Sequence, residues 1–131
     1  MFGKNKKSVD SLLSKDTEFI GELKFYGTIY MEGYFKGEIN STGRLILTDT
    51  GRIEGNIHVS SLVSSGEIVG NIIADESIEI CVPGKVYGDI HAPTVILHPG
   101  VIFKGKCRTD KISEDDVEKL TLRRIPSTKS A

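Results

Sequence analysis

The stretch nearest to a chemical motif is Gly100-Val-Ile-Phe-Lys-Gly105-Lys106-Cys107. It is one substitution short of a phosphate-binding P-loop, with Cys107 where that loop has the serine or threonine that holds magnesium. A P-loop works between a strand and a helix, and this stretch continues a strand-like repeat, so nucleotide binding is not expected. The imidazoles are the next candidates. His58 and His91 each follow an apolar residue of the same repeat position, with Ile73 at the intervening copy, which puts them two repeats apart on an exposed outer wall. Strands two positions apart are separated by about 9.6 Å, and a zinc ion holds its nitrogens at about 2 Å. His98 belongs to another face, so no metal site is expected. Serines are plentiful but none has a histidine beside it in register, and the carboxylates are spread among lysines and arginines. Catalytic residues, cofactors and metal ligands are therefore all expected to be absent.

The elements that carry these residues are copies of one another. Gly51-Arg-Ile53-Glu-Gly55-Asn-Ile57, Gly66-Glu-Ile68-Val-Gly70-Asn-Ile72 and Gly84-Lys-Val86-Tyr-Gly88-Asp-Ile90 are the clearest. Gly33-Tyr-Phe35-Lys-Gly37-Glu-Ile39 precedes them, Phe103-Lys-Gly105-Lys-Cys107 follows, and Phe19-Ile-Gly21-Glu-Leu23 opens the series. The second glycine recurs at 21, 37, 55, 70, 88 and 105. A fixed period of this kind governs the whole fold. Within each copy apolar residues alternate with polar ones, which is strand periodicity.

Aligned copies show apolar columns. One is Phe35, Ile53, Ile68, Val86, Phe103; the next is Ile39, Ile57, Ile72, Ile90, Cys107. A third, six residues before the first, is Ile29, Leu47, Leu62, Ile80, Leu97. Three columns per repeat predict three short strands per coil: an all-β, single-stranded β-solenoid of about six rungs over residues 17–107. The glycines suit corners. The short interval between Gly55 and Gly70 predicts a tightened corner near residues 60–65. Cys107 is expected in the core and Cys81 outward or in a corner, unpaired with each other.

A net charge of -1 supplies no electrostatic reason for a nucleic-acid partner. No run of about 18 apolar residues exists to span a bilayer, and the cysteines without a secretory segment suit a reducing cytoplasm. Residues 1–16 read as a flexible leader in which Met1 and Phe2 adjoin Lys4, Lys6 and Lys7. That combination is a weak membrane anchor: one phenylalanine contributes about 2 kcal/mol and each lysine near an anionic leaflet about 1 kcal/mol. Many copies on a polymer multiply the effect through effective concentration. Residues 108–131 read as a mostly disordered tail, with a marginal helical stretch opened by Ser113 and closed by Arg123 and Arg124.

Seven of the nine aromatics lie at or before residue 35, among them Phe19 and Phe25, and Phe103 lies in the last copy. The open ends of a solenoid present strand edges over exposed core, and no polar capping repeat is apparent. Phe19, Phe25 and Phe103 are thus expected at stacking ends, and end-to-end contacts that do not close make filaments.

With its repeats and its opening Met-Phe-Gly-Lys-Asn-Lys-Lys, the chain resembles the bactofilins, bacterial cytoskeletal proteins. The resemblance implies a right-handed, three-faced β-helix. It also implies nucleotide-independent polymerisation into homopolymer filaments on the inner face of the cytoplasmic membrane, where they position cell-wall synthesis or remodelling proteins. Phe103 resembles the family's hydrophobic residue of the C-terminal rung on which polymerisation depends. Two other readings share the solenoid: a monomeric interaction module, and a left-handed hexapeptide-repeat enzyme, which the 15- and 17-residue rungs and the missing stacked histidines disfavour.

Overall fold

The computed structural model describes residues 9–13, 15–110 and 112, with side chains from residue 15 onward. Thirteen strands run β1 (Val9–Leu13), β2 (Glu18–Phe25), β3 (Thr28–Met31), β4 (Tyr34–Ser41), β5 (Arg44–Leu47), β6 (Arg52–Ser64), β7 (Glu67–Val69), β8 (Ile72–Ile80), β9 (Lys85–Tyr87), β10 (Ile90–His91), β11 (Thr94–Leu97), β12 (Ile102–Lys104) and β13 (Cys107–Arg108). Every pairing joins one coil to the next in parallel. The result is a parallel β-solenoid of five complete rungs and part of a sixth, with three faces per rung.

The first face stacks the beginnings of β2, β4 and β6 with β7, β9 and β12. The second stacks the ends of β2 and β4, the middle of β6, the start of β8, β10 and β13. The third stacks β1, β3, β5, the ends of β6 and β8, and β11. Between the first two faces runs the glycine column, each member with positive φ from 141° to 153°. A Cβ added at Gly37, Gly55, Gly70, Gly88 or Gly105 would fall on the carbonyl oxygen of the glycine one rung earlier. The turn and the close backbone approach therefore both require glycine.

Inside lies one apolar stack. Phe35, Ile53, Ile68 and Val86 are buried on the first face, and Ile39, Ile57, Ile72 and Ile90 on the second, as the alternation predicts. The third face differs from the expected column. Its register is Ile29, Leu45, Leu62, Ile78, Val95 in one row and Met31, Leu47, Ser64, Ile80, Leu97 in another. The single expected column thus mixed two adjacent inward rows. The cause is corner length: residues 48–51, 81–84 and 98–101 form four-residue corners, whereas 32–33 and 65–66 use two. The shortened rung has its tight corner at Ser65 and Gly66, where the Ser64 hydroxyl accepts a hydrogen bond from the Gly66 amide at 3.2 Å. Buried Ser64 keeps a partner and leaves room for the turn.

The ends depart from the expected core. Leu97 is 38% exposed and Cys107 is exposed, although each pairs in register with buried Ile80 and Ile90 respectively. Among the described residues no later rung covers them. Ile29 is half-buried. Within the stretch read as a flexible leader, Val9–Leu13 forms β1 against β3. Met1, Phe2, Lys4, Lys6, Lys7 and the tail stretch from Ser113 to Arg124 lie outside the described residues.

Candidate self-association surfaces at the two ends

Among the described residues, each end of the stack offers strand edges that pair on one side alone. At the N-terminal end β2 pairs with β4 and β1 with β3; at the C-terminal end β11, β12 and β13 pair with β8, β9 and β10. Their outward N–H and C=O groups are a template for another strand. Phe19 is 39% exposed and its ring stacks on Phe35 with centroids 5.3 Å apart and planes 9° from parallel. Ile20 next to it and Tyr26 in the corner after β2 are exposed. Phe25 is buried instead, in register with Ser41, whose hydroxyl donates to the Phe25 carbonyl at 2.6 Å. It supports the first rung from inside and offers no ring to a partner. At the other end Phe103 pairs with Val86 and packs half-buried against the core, flanked by exposed Ile96, Leu97 and Ile102.

Among the described residues, the large apolar side chains that are exposed are Phe19, Ile20 and Tyr26 at one end and Val82, Ile96, Leu97 and Ile102 towards the other. The rungs between carry a mostly polar wall on the first face, whereas the outward row of the third face, Tyr30, Ile46 and Val63, is apolar and half-buried. On the first face Arg52 bonds Glu54 at 2.6 Å, reaches Glu67 at 3.5 Å one rung on, and lies 5.9 Å over the Tyr34 ring one rung back. The Arg52 hydrogen bond holds the Glu54 carboxyl below its ordinary pKa, and burial together with Glu54 raises that of Tyr34. Isolated exposed pairs of this kind contribute little to stability. Their effect here is to keep the flank hydrophilic.

Neither the near-P-loop nor the paired histidines form a chemical centre. Residues 100–107 run through a corner, β12, the Gly105 bend and into β13, with no helix. His58 and His91 flank Ile73 in register, two rungs apart as expected. His91, expected on an exposed wall, is buried: its Nε2 lies 3.0 Å from the Asp110 carbonyl because the chain after β13 folds over it. Sequence reasoning missed one convergence. Glu79, Cys81 and His98 meet where β8 and β11 enter their corners. The signal was present, since Glu79 and Cys81 flank Ile80 and His98 follows its partner Leu97. Cys81 is half-buried, and burial followed by the charge of Glu79 raises its thiol pKa.

Residues 11–108 match the family model for bactofilin, described as polymer-forming cytoskeletal. The chain belongs to the bactofilin family. It is 36% identical over 86 residues to bactofilin BacP of Myxococcus xanthus (strain DK1622), a match covering 66% of this chain and 36% of that protein. It is 30% identical over 90 residues to bactofilin BacO of the same strain, covering 69% of this chain and 71% of BacO. The match thus spans little more than a third of BacP. Two solved structures share the fold at 25% identity. The cryo-EM reconstruction of Thermus thermophilus bactofilin double helical filaments gives a TM-score of 0.69, covering 72% of this chain and 94% of that one. The solid-state NMR structure of the cytoskeletal bactofilin BacA gives 0.70, covering 82% and 100%. Bactofilins are structural cytoskeletal proteins and not enzymes, so membership of the family removes the hexapeptide-repeat enzyme reading.

Proposed function

We propose that this bactofilin assembles end to end, without nucleotide, into homopolymer filaments that lie on the inner face of the cytoplasmic membrane and scaffold cell-wall synthesis or remodelling proteins. The observation that carries the reading is the segregation of exposed apolar side chains and one-sided strand edges to the two ends. A contact between ends extends the parallel ladder and covers Phe19, Leu97 and Phe103. The filament form of the Thermus thermophilus relative supports it. Membrane attachment rests on Met1 and Phe2 beside Lys4, Lys6 and Lys7. One such segment binds marginally, and a filament presenting many binds firmly.

Two variants separate the parts of the proposal. Phe103→Arg places a charge on the C-terminal end, and the expected product is short or monomeric particles with an unchanged far-ultraviolet circular dichroism spectrum. Full-length filaments from this variant would remove Phe103 from the contact. Deleting residues 2–7 is expected to abolish co-sedimentation with anionic liposomes while sparing assembly. Equal sedimentation of the deleted chain would refute the anchor.

A further inference from the structure

We propose that Glu79, Cys81 and His98 bind a divalent transition-metal ion of the zinc class, which clips the last complete rung to the one before it. The three donor atoms lie within 4.8 Å of one another, and His98 Nε2 is already 2.7 Å from Glu79 Oε2. Four-coordinate zinc, with bonds of about 2.0–2.3 Å, needs neighbouring donors about 3.5 Å apart. Small side-chain rotations at Cys81 and His98 close that difference, and a water completes the coordination.

The arrangement follows from the register. Glu79 and Cys81 flank inward Ile80, so they leave the ladder on the same side. Leu97 pairs with Ile80, which sets His98 one rung, about 4.8 Å, above Cys81. Backbone bonds hold both corner residues: the His98 amide donates to the Ile80 carbonyl at 3.1 Å and the Cys81 amide to the Ser64 carbonyl at 2.8 Å. Ligands fixed on a hydrogen-bonded ladder lose little freedom on binding. The side chains of His98 and Glu79 are 43% and 36% exposed, which gives an ion a path in. A thiolate, an imidazole and a carboxylate together select zinc-like ions over magnesium or calcium, which prefer oxygen alone. His58 with Asp75, at 3.1 Å, is a two-residue pair without a thiol. The clip acts where it has most effect, because among the described residues β11 is held by β8 on one side alone.

The test uses the full chain with Cys107→Ser, so that one thiol remains. Cobalt(II) titration is expected to raise a thiolate-to-cobalt charge-transfer absorption that saturates at one ion per chain and is displaced by zinc. Removing a direct ligand costs at least as much as removing a group that only orients one, so His98→Gln and Glu79→Gln are each expected to weaken binding about 10- to 100-fold. Zinc is also expected to slow amide exchange at His98. Absence of the charge-transfer band, or unchanged affinity in both His98→Gln and Glu79→Gln, would overturn the site. Unchanged exchange at His98 with zinc bound would overturn the clip. Filament formation by the metal-free chain is unaffected by either outcome, so this result is separate from the assembly reading.

Discussion

Gly55 shows how closely a single residue can be tied to the architecture. Its φ is +141°, and a Cβ there would collide with the Gly37 carbonyl in the rung before. Gly21 has nearly the same φ, +148°, but lies in the first rung, where the nearest obstacle is the Phe19 ring at 3.4 Å. Both alanine variants carry backbone strain of about 1–3 kcal/mol, and Gly55→Ala adds overpacking of about 1–3 kcal/mol. Urea unfolding is expected to show Gly55→Ala destabilised by about 3 kcal/mol or more, and Gly21→Ala by clearly less. Equal losses would mean that inter-rung contact does not select glycine. This column was legible in the sequence because one geometric demand recurs on every rung. Residues on the third face were less legible: Leu45, Ile78 and Met31 are core, yet counting six back from the first face skipped them, since corner lengths differ from rung to rung. Cys107 was misjudged for another reason: its inward register is correct, but no later rung among the described residues covers it.

At the scale of elements, each strand is held by its neighbours in the stack, so stability approximates a sum of nearest-neighbour contributions. β6 is paired on both sides over all three faces, while among the described residues β2, β11, β12 and β13 have one partner strand each. Local opening should therefore be cheapest at the ends. Amide exchange is expected to be slow in β6 in every sample. In β2, β12 and β13 it is expected to be fast in the Phe103→Arg chain and slow in the assembled parent. Equally fast exchange of those end strands in the parent would show that they are not buried by assembly. β1 escaped the sequence reading because Val9–Leu13 lies before the first glycine copy, without a repeat partner to align it. Its place depends on the edge that β3 offers, which is a tertiary cause.

For the whole molecule, the rungs are interchangeable in design and the ends are not. A stack of parallel rungs has no intrinsic length, and what stops growth in a monomeric solenoid is a polar cap. Among the described residues the terminal rungs instead expose Phe19, Ile20 and Tyr26 at one end and Ile96, Leu97 and Ile102 at the other. The same physics that joins rung to rung within the chain is thereby available between chains. The most direct measurement is negative-stain electron microscopy of the purified full chain in chelator, without nucleotide. The account predicts filaments many times the length of one solenoid. Uniform single rods under those conditions would contradict it.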